Sequence, residues 1–195
     1  MNERYQEMKI DWQNVQESAE NPASAVESGG YVCGIVKATY ETTKKGAKAL
    51  VIVWDIVEGP HKGEFSNEFY KDKDFRHNDY IMLEGNGLGM AKRKLKTISE
   101  SNPGFDAFGV VADPDTIGHG EPAKAFVGKY IGLVLQERKY TYNGKDRSEV
   151  NVSSYKTPDQ IRGGEFEVPE TIDDRTHTAQ AAAADDGEDE KLPWE

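Results

Sequence analysis

Apolar positions change their spacing along this chain, and the changes divide it into elements. From Tyr31, the run YVCGIVKATY is rich in β-branched and aromatic residues, the composition of a strand. ETTKKG makes a turn, and AKALVIVWDIVEG follows as a second strand, apolar on both faces for several residues. Within it Trp54 shares a face with Leu50, Ile52 and Ile56, which places its ring in the core. EGPHKG is a second turn, and EFSNEFYKD (64–72) reads as a third, more polar strand. The spacing then changes to helical: Leu88, Ala91, Leu95 and Ile98 predict an amphipathic helix over 88–101, closed by Asn102–Pro103. Residues 104–122 read as loop with one short element at most. From Ala125 to Thr157, two extended runs flank YNGK, and Asn–Gly is the favoured short hairpin turn.

Five strands with one helix between the third and fourth is the element order of an OB-fold barrel. The expected architecture is therefore mainly β: a five-stranded OB-like barrel over 30–164. An arm or short helix (1–29) precedes it, and a disordered acidic segment (165–195) follows.

Charge sharpens that division. The chain of 195 residues carries a net charge of −11, which by itself argues against a nucleic-acid partner. The charge is not evenly spread. Residues 30–164 hold 18 acids and 20 bases, whereas 1–29 is net −4 and 165–195 is net −9. The chain is a slightly basic body between two acidic ends. The lone Cys33 lies in an apolar strand and reads as a buried thiol suited to a reducing compartment. The first residues lack a basic-then-apolar leader pattern, and no run approaches the roughly 20 apolar residues of a membrane span. The cytoplasm is the expected location.

Candidate chemistry concentrates in two turns. Lys44, Lys45 and Lys48 lie at the first, and Arg138, Lys139, Lys145 and Arg147 surround Tyr140 and Tyr142 at the second. In an OB-fold these are the loops that border the binding groove. Cations for phosphates beside flat rings for unstacked bases is what single-stranded nucleic acid requires. A solvated hairpin tip with tyrosines paired across strands is the plain alternative. On the third strand, Phe69 and Tyr70 point to opposite faces, and Tyr70 with Lys71 is placed at the groove. GNGLG (85–89) lacks the full phosphate-loop pattern and reads as a helix entry. Lys92, Arg93, Lys94 and Lys96 fit a solvated helix face as well as a phosphate contact. Four scattered histidines and one cysteine build no zinc site, and no nucleophile elbow is present. Neither catalysis, a cofactor nor a metal is expected.

The segment GGYVCGIVKATYETTKKGAKALVIVWDIVEGPHKGEFSNEFY, with FVGKYIGLVLQERKYTYNGKDRSEVNVSSYKTPDQI, resembles a phage-encoded family of single-stranded DNA-binding proteins. The resemblance covers roughly residues 29–164. It implies an OB-fold that coats single strands without sequence preference in replication, recombination or repair, within the host cytoplasm. The last stretch, DDGEDEKLPWE, is similar to the acidic, apolar-tipped tails of bacterial and phage proteins of that function, which usually end in Pro-Phe. Here Trp194 replaces the phenylalanine and Glu195 follows it. An exposed indole in such a segment points to a docking peptide: Leu192, Pro193 and Trp194 form the apolar tip. Asp185, Asp186, Glu188, Asp189 and Glu190 steer it to basic partner surfaces. The competing reading is an acidic protein-interaction module or a DNA mimic that inhibits host DNA-processing enzymes. A mimic would spread carboxylates over its folded body, and 30–164 is slightly basic. Homo-oligomer formation is left open.

Overall fold

The computed structural model describes residues 26–67, 70, 72–113, 116 and 118–175. Five long or medium strands form its frame: β1 (Gly29–Thr42), β2 (Lys48–Ile56), β3 (Asn78–Met82), β5 (Tyr130–Tyr142) and β6 (Lys145–Lys156). Two-residue strands β4 (Glu121–Pro122) and β7 (Ile172–Asp173) add to β1 and β5. The helices are α1 (Leu88–Ser101), α2 (Ala107–Val110) and α3 (Pro158–Arg162). The principal strands follow the order β3-β2-β1-β5-β6 and are antiparallel throughout. With α1 between the third and fourth of them, this is an OB-like, nearly closed five-stranded barrel.

A register shift between Ile35 and Lys37 leaves Val36 as an extra residue in β1. Such a bulge bends a strand. β1 can therefore pair with β5 over Gly29–Gly34 and with β2 up to Thr42. The interior is filled by alternate residues of each strand, among them Ile35, Leu50, Ile52, Trp54, Ile81, Ile131, Leu133 and Leu135, with Ala91, Leu95 and Ile98 of α1. The placement of Trp54 in the core and the helix over 88–101 agree with the periodicity.

Among the described residues β3 and β6 do not pair. Lys94 of α1 occupies the gap, with Nζ 2.5 Å from Asp79 Oδ2 and 3.1 Å from the Tyr80 carbonyl. The same Nζ lies 5.2 Å from the centroid of the Tyr155 ring. Farther along, Arg76 Nη1 donates to the Tyr140 hydroxyl at 3.3 Å.

Three expectations need correction. The described residues of the 64–72 stretch do not form a strand. The buried Asp55 carboxylate accepts from the Ile56 and Phe65 amides (2.8 and 3.0 Å) and from the Ser66 hydroxyl, which folds Glu64–Ser66 into a 3₁₀ turn. Phe65 and Tyr70 both enter the core, their centroids 4.9 Å apart. The third strand is instead Asn78–Met82, whose Asn and Asp hide its strand character until it pairs with β2. Next, the body begins before Gly30, since Val26 is fully buried. Finally, it continues past Gly164. The Phe166 ring covers Gly30, β7 pairs in parallel with β5, and Asp174 reaches Arg138. Residues 165–175 therefore lie on the barrel.

One close approach yields a test. A Cβ on Gly132 would lie 2.8 Å from both the Lys156 and Thr157 carbonyl oxygens. Backbone oxygens cannot rotate away, so Gly132→Ala is expected to lower stability by about 1–3 kcal/mol. Urea unfolding measures the loss; an unchanged midpoint would mean that β5 and β6 slide apart at no cost.

Candidate nucleic-acid interface

The outer face of β1, β2 and β3 is built by strand register. Thr39, Val51 and Tyr80 align in one row, and Lys37, Val53 and Asn78 in the next. Val51 and Val53 are buried, so Tyr80 rises from an apolar floor with 48% of its surface exposed. A cleft of about 320 Å³ runs over this floor to the β1–β2 turn, between Lys37, Lys44, Asp74 and Tyr80.

The β1–β2 turn has a defined shape. Gly46 N donates to the Thr43 carbonyl at 2.9 Å, and Thr43 N to the Ala47 carbonyl at 2.8 Å. This places Lys44 and Lys45 at the exposed centre of the turn, while Gly46 takes φ 85°, a conformation that favours glycine. Lys48 sits at the base, half-buried, with Nζ 3.1 Å from the Thr42 hydroxyl.

A 3₁₀ turn, Asp74–Arg76, forms the far wall of this cleft. It is fastened on one side by Lys37 to Asp74 (2.7 Å) and on the other by Arg76 to Tyr140 and to Glu149 (3.8 Å). Between these fastenings Phe75 stands 66% exposed, with the Arg76 guanidinium 5.4 Å from its ring centre. Beyond it, Phe75, Arg76, Tyr140, Glu149 and Asn151 line a second cleft of about 250 Å³.

The β5–β6 hairpin closes that end. Asn143 (φ 51°) and Gly144 (φ 71°) make its two-residue turn, as the Asn–Gly pair predicts. Opposed residues share a face, so Tyr140 with Arg147, Tyr142 with Lys145, and Arg138 with Glu149 all project on one side. The Arg147 guanidinium lies 5.5 Å from the Tyr142 centroid, and that of Arg138 lies 5.8 Å from Tyr140.

The structure divides the residues expected at the site. Lys44, Lys45, Tyr140, Tyr142, Lys145 and Arg147 border the outer face or the hairpin, and those cations have no carboxylate partner among the described residues. Arg138 is compensated: Asp174 Oδ2 lies 2.6 Å from its Nε and Glu149 3.5 Å from Nη1, and the Asp174 contact raises its pKa. Lys139 points to the opposite face, 3.4 Å from Glu137. Tyr70 is a correction. It is 5% exposed and packed against Phe65 and His77, because the segment carrying it is a turn folded into the core and not a strand with one solvent face. Lys71, Phe69 and the docking segment Asp185–Trp194 lie outside the described residues.

Phe75, Arg76 and Tyr80 are not among the residues expected from the sequence. An aromatic–arginine pair in a polar stretch is the available signal for the first two; Tyr80 needs the true register of β3. Among the described residues, no three His, Cys, Asp or Glu side chains are grouped to hold a metal. No described helix is long and apolar enough to cross a membrane.

His77 anchors the ring-bearing turn from below. It is buried, stacks on Phe65 at 5.1 Å and meets Trp54 edge-on at 6.3 Å. Its Nδ1 is buried without a hydrogen-bond partner among the described residues. Burial, the largest cause, lowers its pKa against the opposing charges of Asp74 and Asp55. The unfolded chain then takes up this proton first as pH falls. The stabilisation is complete above the unfolded value near 6.5 and is lost as pH drops through it towards the folded value. Comparing urea midpoints at about pH 7.5 and 5.5, the wild type should lose more stability than His77→Phe. Equal losses would remove His77 as the cause.

Residues 8–82 match the model of a family described as "Protein of unknown function (DUF669)", a stretch that includes β1, β2, β3 and the turns bearing Lys44 and Phe75. The chain is similar to that family over this part. No curated protein matches the chain.

Proposed function

We propose that this protein binds single-stranded DNA without sequence preference. The observation that carries the reading is the outer barrel face. Exposed Tyr80 and Phe75, followed by Tyr140 and Tyr142, extend between two turns that carry Lys44, Lys45, Lys145 and Arg147, cations with no carboxylate partner among the described residues. Rings stack on any base, and the turn cations meet phosphates without reading sequence. Duplex DNA hides its base faces and would find only the cations. The resemblance to phage-encoded single-stranded DNA-binding proteins supports the same reading. It adds a role in replication, recombination or repair in the host cytoplasm, with partner proteins recruited by Leu192, Pro193 and Trp194.

The test is a gel-shift comparison of a single strand, a duplex and an RNA at two salt concentrations. With Lys44, Lys45, Lys145 and Arg147 as the phosphate contacts, log affinity for a single strand should fall with log salt at a slope of about 3, from roughly 0.7 per phosphate. Equal affinity for duplex, or no salt dependence, would overturn the proposal.

A further inference from the structure

On another side of the barrel, β6 has β5 as its strand partner on one edge and faces α1 on the other. A groove of about 360 Å³ lies there. Its walls combine Met90 and Arg93 of α1 with Val152, Tyr155 and Lys156 of β6, and no carboxylate of the described residues lines it. Met90 is 56% exposed, a large apolar side chain with nothing described over it. Lys94, also in the wall, is occupied by Asp79. Arg93 and Lys156, both in the groove wall, have no carboxylate partner among the described residues. Lys156 also borders a neighbouring depression that contains Glu165 and Glu167. An apolar floor under uncompensated cations fits an acidic segment with an apolar anchor, and suits bare phosphates less well.

This chain contains such a segment in residues 185–195, five acids followed by Leu192, Pro193 and Trp194. We infer that the α1–β6 groove is the resting site of that segment, in the same molecule. The apolar tip would lie on Met90 and Val152, and the acids would lie towards Arg93 and Lys156.

Reach permits it. Arg175 is held at the hairpin end of β6, with Nη1 3.4 Å from Asp146. Val152 to Lys156 lie farther along the same strand, about 20–33 Å away at roughly 3.3 Å per residue. Residues 176–191 link Arg175 to the tip. A coil of that length spans about 20–24 Å on average and at most about 55 Å when extended. The span and the linker match, the condition for a local concentration on the order of millimolar. Even a groove affinity of about 0.1 mM would then keep it mostly filled, while a micromolar partner could still remove the segment at a cost of about tenfold in affinity. The consequence is regulation: the docking tip is shielded until a partner competes for it. The inference rests on reading 185–195 as a docking segment, and is independent of DNA binding.

Carbodiimide coupling of the full-length protein tests it, using a mixture of unlabelled and ¹⁵N-labelled chains at low salt. The expected product joins carboxylates of 185–190 to Lys156 within single-isotope pairs. Trp194→Ala, in the segment itself, and Met90→Asp, at an exposed position of the groove, should each weaken docking by about tenfold, the scale of one buried apolar anchor, and so at a millimolar local concentration reduce that coupling by about half. Coupling shared evenly with Lys44, Lys45 and Lys145 and unchanged in both variants would overturn the groove. Mixed-isotope pairs would overturn docking within one molecule. Single-strand affinity of the same proteins is a separate readout. Its absence would end the proposed function and leave the coupling pattern intact.

Discussion

The double variant Phe75→Ala, Tyr80→Ala is expected to lose at least about thirtyfold in affinity for an unstructured oligonucleotide, since each stacked base contributes roughly 1–3 kcal/mol. The two rings stand on different supports, one on the Asp74–Arg76 turn and the other on the Val51 floor. Both are largely exposed, so their removal should leave the thermal transition within a few degrees of wild type. The salt slope should stay near its original value, because no cation is removed. By contrast, Lys44→Ala with Lys45→Ala should lower that slope by about 1.4. Titration of labelled oligonucleotide at several salt concentrations separates the outcomes. Affinity retained in the ring variant would place the bases elsewhere and end the stacking argument.

Asp55→Ala is expected to destabilise the protein by about 3 kcal/mol, more than the cavity left by the missing carboxylate would produce alone. The carboxylate is 4% exposed and accepts from two backbone amides and a serine hydroxyl. Deletion leaves buried donors without an acceptor. The loss should reach the site as well, because the turn that Asp55 holds carries Phe65, and Phe65 stacks on His77 beside Phe75 and Arg76. Asp55→Asn keeps the volume and one acceptor oxygen, and should cost less than Asp55→Ala. Urea unfolding of both variants decides this: equal and small losses would show that water replaces the carboxylate as acceptor.

Particular elements show what the order of residues could specify. The helix over 88–101 is legible because its apolar positions recur at helical spacing, and three of them, Ala91, Leu95 and Ile98, are buried, while Leu88 at its start is exposed. The hairpin is legible because Asn143 and Gly144 accept positive φ values that other residues resist. The α3 helix is absent from the expected elements although its signal is local. Thr157 and Gln160 form a capping box with Pro158 at the first turn, just after a strand. The third strand is misplaced for a different reason. Aromatic residues at 65, 69 and 70 imitate a strand, while Asn78 and Asp79 imitate a turn. Both readings are reversed by distant partners, the Asp55 carboxylate in one case and the β2 ladder in the other.

The candidate site divides in the same way. Which residues carry charge or a ring is a property of the sequence, and so is the concentration of cations at the two turns of a weakly basic body. Spacing also assigns Arg138 and Arg147 to one face of the hairpin, because the Asn–Gly turn fixes the register and the register fixes the alternation. It cannot say which of the two is available to a ligand. Arg138 meets Asp174, 36 residues away, which only the return of 165–175 along β5 brings near, whereas Arg147 meets no carboxylate among the described residues. Tyr70 is likewise taken up by a core that only the Asp55 turn opens to it. Periodicity and turn chemistry act over a few residues and are written locally. Compensation of a charge and burial of a ring are contacts between distant segments, and they exist only once the barrel has formed.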